Sequence, residues 1–466
     1  MALHRYSAGE DETEVSIRPQ FTQHGEVGTL PKNRMPSRGM PADTAYQVVH
    51  DELMLDGNSR LNLATFVTTW MEDQAARLMT ESADKNLIDK DEYPHSAELE
   101  RRCVNMLARL WHVPEDGGEE ATGCSTSGSS EACMLGGMAL KWRWRQDLQQ
   151  AGTYSAARQP NLVMGANVQV CWEKFCRYWD VEARLVPVSA EATHLTPETA
   201  VAHCDENTIG VVAVLGSTYD GVYEPVAEIA AALDAFQAEK GIDIPMHVDG
   251  ASGAFVAPFV DPGLQWDFRV PRVHSINASG HKFGLVYPGV GWVVWRDHTS
   301  LPDDLVFKVD YLGGEMPTFT LNFSRPGSQV AAQYYNFIRL GFEGYKAVQD
   351  VCRDVARHLA RSVAQMGPFE LVTKEFGIPA FAFRLKDEVS AGYTVFDVSD
   401  ALRAFGWIVP AYPMPPAIED MDVLRIVVRN GFGRNLADSL LDDLSKVVKR
   451  LEGTHRSKAD RTGFHH

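Results

Sequence analysis

The sequence predicts an α/β fold: a mostly parallel central sheet with helices on both faces, followed by a small C-terminal α/β domain and preceded by an N-terminal arm. Three observations point there. Between residues 160 and 300, strand-like runs at 161–165, 183–186, 210–216, 244–249, 273–279 and 291–296 alternate with helical runs such as 226–240. Residues 345–455 read as helix, two strands, helix, strand, helix. The chain has 466 residues, 45% of them hydrophobic, enough for one large domain and a smaller one.

The arm and first helix take residues 1–60. The first 40 or so are polar, are broken by Pro31 and Pro36, and carry an acidic cluster at Glu10, Asp11, Glu12 and Glu14. They read as a disordered segment or as one that orders against a neighbouring subunit. Asp43 or Thr44 caps a helix through Val48, Val49 and Leu53 that stops at Gly57. A large domain is expected over 61–340. It begins with a helix-leaning stretch at 61–79 and a loop at 86–94. Ser96 then caps a helix whose Leu99, Cys103, Met106, Leu107 and Leu110 share one buried face. A run of small hydroxylated residues at 122–131 leads into a helix over 132–148. The glycines of Asp310-Tyr311-Leu312-Gly313-Gly314 suit a mobile loop. A long helix from 329 leads to the small domain, 341–455, with strands at 369–373, 379–386, 407–409 and 424–429 and a helix at 395–404. Residues 456–466 form a polar, flexible tail.

Three stretches carry the chemistry. In Ser279-Gly280-His281-Lys282-Phe283-Gly284, Lys282 sits on a glycine-flanked turn between two strands. Partial desolvation there lowers an amine's pKa and suits it to Schiff-base formation. Taken alone, such a lysine also fits a loop residue with its ammonium in water. The second stretch, 242–249, is a strand ending in Asp249, and an acid at a buried strand end needs a cation or several donors. The ring nitrogen of pyridoxal phosphate is such a partner, because a carboxylate that keeps it protonated makes the ring an electron sink. An Asp after a strand, followed 33 residues later by the lysine of a Ser-x-His-Lys turn, is the layout of fold-type I pyridoxal phosphate enzymes. The third stretch is Gly128-Ser129-Ser130-Glu131-Ala132. Its hydroxyls and the backbone N–H groups of the helix start form an anion site that fits the cofactor phosphate, or an ordinary helix cap. Thr218, Asp249 and Lys282 each fall at or just after a strand end, where such sheets bind ligands.

Composition narrows the partners. A net charge of −18 argues against nucleic acid and anionic membrane. No apolar run reaches the length of a membrane span, and the first residues lack a signal peptide's apolar core. The seven cysteines are odd in number and form no Cys-x-x-Cys, so reduced thiols and a cytoplasmic location are expected. No Gly-x-Gly-x-x-Gly, P-loop, Gly-x-Ser-x-Gly or His-Glu-x-x-His is present, and the histidines show no metal-ligand spacing.

Over roughly residues 40–450 the chain closely resembles glutamate decarboxylase of the hexameric type. The matching stretches include Asn62-Leu63-Ala64-Thr65-Phe66, Ile88 through Pro94, Gly128 through Ala132, Val168-Gln169-Val170-Cys171-Trp172, His247-Val248-Asp249, Ser279 through Gly284 and Asn322-Phe323-Ser324-Arg325-Pro326. The resemblance implies decarboxylation of L-glutamate to 4-aminobutyrate and carbon dioxide. It implies Lys282 as the lysine that carries the cofactor and Asp249 as partner of the ring nitrogen. Gln169 and Ala251 flank the ring, and Thr218 lies near its hydroxyl. Ser129, Ser130, Ser279 and His281 hold the phosphate, with Ser324 reaching in from a neighbouring subunit. Thr65, the backbone of Phe66, and Asp89 from a neighbour receive the distal carboxylate of glutamate, Arg425 faces the α-carboxylate, and Tyr311 is the proton donor. It further implies a homo-oligomer, a hexamer built from dimers, and a tail in which His465 plugs the site at neutral pH; the alternative for the tail is a frayed terminus whose two histidines have no role. Because the reaction consumes a proton, a role in acid resistance follows. Two departures from the family pattern, Glu173 after Trp172 and Asn277 near the lysine turn, are expected to matter little. The cofactor motifs alone do not choose the substrate, so decarboxylation of another amino acid is the alternative. A non-catalytic, partner-binding relative is disfavoured because every cofactor residue is present.

Overall fold

The computed structural model describes residues 33–114, 120–309, 316–387 and 392–459. The chain divides after Gly57. The first unit contributes one described helix, α1 (Ala42–Leu53), which starts ahead of the expected caps Asp43 and Thr44, directly after Pro41, and ends before Gly57.

The second unit is built on a seven-stranded sheet. Along the chain its elements are α2 (Asp73–Glu81), α3 (Pro94–Leu110), β1 (Gly123–Thr126), α4 (Ser129–Gln150), β2 (Asn161–Gly165), α5 (Val170–Tyr178), β3 (Glu182–Val186), α6 (Pro197–Ala202), β4 (Thr208–Val214), α7 (Val226–Lys240), β5 (Met246–Asp249), α8 (Ala257–Val260), β6 (Val273–Ala278) and β7 (Gly291–Trp295). The strands lie in the order β1-β7-β6-β5-β4-β2-β3. From β6 to β3 all neighbours are parallel, and β7 runs against both β6 and β1. β2, β4, β5 and β7 are buried along their whole length, as strands covered on both faces must be. The carboxyl ends of β1, β2, β4, β5 and β6 therefore meet on one edge of the sheet.

α4 lies close against the sheet because two of its residues lack side chains. A Cβ on Gly136 would fall 2.5 Å from the His247 ring, and one on Gly137 would fall 2.7 Å from the Phe175 ring. Each is closer than real contacts allow, so Gly136 sets how near α4 approaches β5, and Gly137 how near it approaches α5.

After β7 come a hairpin of β8 (Phe307–Val309) and β9 (Met316–Thr318), then α9 (Ser328–Gln365), which breaks at Gly341, where φ is +59°. A four-stranded antiparallel sheet follows, in the order β10 (Phe369–Leu371), β11 (Ala380–Leu385), β13 (Asp422–Val427), β12 (Ala411–Pro413), covered by α10 (Val395–Arg403) and α11 (Arg434–Ala459). It has its own core, which includes Phe369, Phe381, Leu424, Ile426 and Leu444. The expected boundary at 340/341 falls inside α9, and α11 continues past residue 456, where the tail was expected to begin.

Three local expectations are corrected. The stretch 62–72, apolar enough to read as helix, is extended; only Asp73–Glu81 is helical. Its backbone groups are taken by distant partners instead. Leu63 N–H donates to Ile408 O, Thr68 N–H to His281 O at 2.7 Å, and Arg429 donates to Val67 O at 3.0 Å and Thr69 Oγ1 at 2.6 Å. The strand expected at 407–409 is only a bridge from Ile408 to Asn62, and the strand itself is β12. α3 begins at Pro94 rather than after Ser96, because proline fits the first helical turn.

Glu224 follows β4 and is buried with no salt-bridge partner among the described residues, its oxygens accepting from Val214 N at 2.6 Å, Leu195 N at 3.0 Å and Asn167 Nδ2 at 3.0 Å. Burial pushes its carboxyl up to about 7. Its folded pKa lies above its unfolded one, so its contribution to stability is full below about pH 4.3 and is lost as pH rises through 7. Glu224→Gln should remove that slope, worth up to about 3 kcal/mol. Thermal melts from pH 4.5 to 7.5 check it: the parent midpoint falls over this range and the variant's falls less. Parallel curves would show that Glu224 does not titrate there.

Candidate active site

The strand ends on the shared edge enclose a cavity of about 320 Å³. Ser129, Ser130, Gln169, Thr218, Asp249, Ala251, Ser279, His281 and Lys282 all line it. Five separate strand ends thus deliver every expected cofactor residue of this chain to one place, Ser324 excepted.

β5 ends in Asp249, which is 4% exposed. Its Oδ1 accepts from Asn277 Nδ2 at 3.0 Å and from Ala251 N at 3.1 Å, and its Oδ2 accepts from Trp172 Nε1 at 2.8 Å. A carboxylate has about four acceptor positions. Three are filled by the protein, and the fourth lies on Oδ2 at the cavity wall. One N–H donor from a ligand completes the set. Behind Asp249, Asn277 Oδ1 meets His247 Nε2 at 2.8 Å, and His247 Nδ1 meets Ser275 Oγ at 2.7 Å. Because Asn277 turns its amide to Asp249, its oxygen must accept. His247 then carries its proton on Nε2 and accepts from Ser275. Burial lowers the His247 pKa and keeps the ring neutral.

Sequence reasoning missed this relay and set Asn277 aside as a harmless departure. Asn277 hydrogen-bonds both Asp249 and His247 and so joins the two. A signal was available: His247 and Asp249 alternate on β5 as Ser275 and Asn277 do on β6, and the register pairs His247 with Ser275 and Asp249 with Asn277. Polar residues alternating on two buried strands must satisfy one another.

β6 delivers the lysine turn. Gly280 has no room for a side chain, since a Cβ would lie 2.8 Å from Val290 Cγ1 and closer still to Gln333 Oε1. Lys282 is partly buried, with its ammonium 3.5 Å from Ser252 Oγ and 5.5 Å from the centre of the Phe66 ring. Burial lowers its pKa, and the Asp249 charge opposes the shift. Thr68 Oγ1 donates to the Lys282 carbonyl at 2.6 Å, which locks the turn onto the extended 62–72 stretch.

The anion cup lies at the start of α4. Ser279 Oγ donates to Ser129 Oγ at 2.7 Å. His281 Nδ1 faces the N–H groups of Val290 at 3.3 Å and Gly289 at 3.4 Å, so it holds the lone pair and Nε2 carries the proton. Burial, then the Lys282 charge, pushes His281 down to about 4. A neutral donor, hydroxyls and a helix N-terminus suit a phosphate.

Arg425, Thr65 and Phe66 are not among the residues that line the cavity, but Arg425 reaches from β13 to the carbonyl of the lining residue Thr218 and, at 2.6 Å, to Ala64 O. The Phe66 ring lies 4.6 Å from its guanidinium. Its Nε is buried and has no partner among the described residues, an orphaned donor beside the segment that holds Thr65 and Phe66. Thr65 Oγ1 accepts from Val67 N at 3.1 Å.

Asp89 and Ser324 do not line this cavity. They lie on neighbouring loops joined by the bridge of Asn86 to Pro326, where Asn86 Nδ2 donates to Ser324 Oγ at 3.3 Å. Ser324 is exposed and Asp89 partly so. Tyr311 and His465 lie outside the described residues, as does the acidic cluster at 10–14.

The conserved domain of pyridoxal-dependent decarboxylases matches residues 36–386. The chain belongs to the pyridoxal-dependent decarboxylase family. Within this decarboxylase family it is 54% identical to a glutamate decarboxylase of Aliivibrio fischeri over 471 aligned positions, covering all of both chains. It is 51% identical to glutamate decarboxylase 5 of Arabidopsis thaliana, over 96% of this chain and 90% of that one. The structure of a Lactobacillus brevis glutamate decarboxylase matches with a TM-score of 0.89 at 47% identity, covering 93% of this chain and 98% of that one. A tryptophan decarboxylase of Catharanthus roseus shares the fold at a TM-score of 0.76 and 18% identity. The decarboxylase fold is that of fold-type I pyridoxal phosphate enzymes, with the large, mostly parallel sheet followed by the smaller one.

Proposed function

We infer that this chain decarboxylates L-glutamate to 4-aminobutyrate and carbon dioxide with pyridoxal phosphate as cofactor. The observation that carries this reading is the 54% identity to a glutamate decarboxylase along the whole of both chains. The cofactor, when bound, supplies an electron sink for the pair left behind by the departing carboxylate. The protein residues do the rest. The Lys282 amine, whose pKa burial lowers, is the covalent attachment point. Asp249 Oδ2 offers its remaining lone pair to the ring N–H, and the His247–Asn277 relay fixes its orientation. Ser129, Ser130, Ser279 and His281 hold the phosphate, while Gln169, Ala251 and Thr218 border the ring. Arg425 receives the α-carboxylate on its unpaired Nε edge. Thr65 and the Phe66 backbone line the far end of the substrate, and Tyr311 returns the proton to the α-carbon. Incubation with L-glutamate and added pyridoxal phosphate should yield one 4-aminobutyrate per carbon dioxide. A chain that releases carbon dioxide from L-aspartate or an aromatic amino acid in preference would instead support the alternative substrate reading.

We further propose that the working unit is a homo-oligomer, a hexamer built from dimers, in the cytoplasm. Asp89 and Ser324 share one partly exposed surface beyond the cavity of their own chain, which favours their service to a neighbour's site. Chains carrying Lys282→Ala and chains carrying Asp89→Ala, each defective alone, should recover about a quarter of parental activity when refolded together, because half the dimers are mixed and each has one complete site. No recovery in mixed oligomers would place Asp89 in its own chain's site. No helix among the described residues is long and apolar enough to cross a membrane. Proton consumption supports a role in acid resistance, and His465 as a neutral-pH plug belongs to the same proposal. Deleting residues 464–466 and recording activity across pH 4 to 8 tests it, since unchanged profiles would exclude the plug.

A further inference from the structure

Glu131 stands in the first turn of α4, is 6% exposed, and lines the cavity next to Ser129 and Ser130. Its Oε2 accepts from Ser127 N and Ser127 Oγ, both at 2.8 Å, and from Asn322 Nδ2 at 3.1 Å. Its Oε1 accepts from Leu321 N at 3.1 Å and Asn322 N at 3.2 Å. Two of these bonds come from the loop that shapes the anion cup and three from the segment that ends in Ser324. Five donors converge on two oxygens, so only an acceptor-only side chain serves; an amide would turn N–H groups against N–H groups. A buried carboxylate is costly to retain unless its donors are all in place. One residue beyond Ser324, Arg325 is fastened to β1 through Ser125 O at 2.7 Å and to α3 through Glu100 Oε1 at 2.9 Å. Ser324 itself is left exposed between the two fastenings.

We propose that Glu131 is a positioning residue that ties the phosphate cup of one subunit to the placement of Ser324 in its neighbour's cup. This rests on the reading above that Ser324 acts across the interface.

Mixed oligomers test it through cofactor affinity, read from the visible absorbance that only chains with Lys282 develop. Ser324→Ala chains alone should bind pyridoxal phosphate about tenfold more weakly than the parent, the loss of one hydrogen bond to a charged group. Mixing them with Lys282→Ala chains, which still present Ser324, should return the affinity of the mixed sites to the parental value. Mixing them instead with Lys282→Ala/Glu131→Gln chains should leave it about tenfold weak, although those chains bear an intact Ser324. The Lys282→Ala/Asn322→Ala chain, which keeps Glu131 and loses only the side-chain link, should restore affinity in part. If Lys282→Ala chains restore nothing, the reading of Ser324 across the interface fails. If they do, and the Glu131→Gln chains restore affinity fully, the positioning role is overturned. Should the Glu131→Gln chains not assemble, full restoration by the Asn322→Ala chains overturns it equally.

Discussion

Lys282→Ala abolishes turnover of L-glutamate, by a factor on the order of 10³ or more, as for removal of a catalytic nucleophile, and leaves the fold intact. The contacts that hold the turn are backbone contacts. Thr68 Oγ1 donates to the Lys282 carbonyl, and Lys282 N–H donates to Ser279 O. Alanine keeps both. What it removes is a desolvated amine whose pKa is held down by burial. A base whose pKa falls on folding costs stability wherever it is charged, so the cofactor-free variant should melt no lower than the cofactor-free parent. Activity assays and melts on the same preparations check the pair of expectations. Retained turnover would remove Lys282 from the mechanism, and a collapsed melt would mean that its amine has a structural partner beyond Ser252.

Asp249→Asn lowers kcat by ~10²–10³-fold while the protein still colours with cofactor, because the electrostatic support is lost and the attachment point is not. The geometry also foretells a stability cost. Trp172 Nε1 donates to one oxygen, and Asn277 Nδ2 with Ala251 N to the other. An asparagine must turn its NH₂ toward one of these sets. Reversing Asn277 and the His247 tautomer relieves one clash but not that with the Ala251 N–H. One buried donor stays unpaired, at about 1–3 kcal/mol. Steady-state kinetics and melts of Asp249→Asn read both effects. A kcat within tenfold of the parent would mean that Asp249 is not the ring partner. An Asn277→Ala chain should shift in the same direction by less, since it loses one of the three donors.

The large sheet was legible because buried strands in this chain are short apolar runs that end in abrupt chemistry. β2 was placed to the residue, and β5 and β6 end where Asp249 and the lysine turn begin. β1 was not, since Gly123–Thr126 has the composition of a loop and is a strand only through its pairing with β7. The extended stretch around Thr65 and Phe66 was misread for a related reason. Its conformation is set by Arg425 and Arg429, some 360 positions away along the chain, and local periodicity carries no trace of such partners. At the site, charged and nucleophilic residues were legible one by one. Their supports were not: Trp172 behind Asp249, the His247–Asn277 relay and the Glu131 knot exist only once strands and loops are side by side. Asp89 and Ser324 were assigned to a neighbour's site only through family resemblance, and in this chain neither lines the cavity.

The central claim is that the cavity at the strand ends carries the cofactor on Lys282 above Asp249. Borohydride reduction of the holoprotein, followed by proteolysis and mass mapping, tests it most directly. The account predicts one pyridoxyl group per chain, on the peptide that contains Lys282, with no such adduct in Lys282→Ala. An adduct on any other lysine, or none on a protein that decarboxylates L-glutamate, would contradict it.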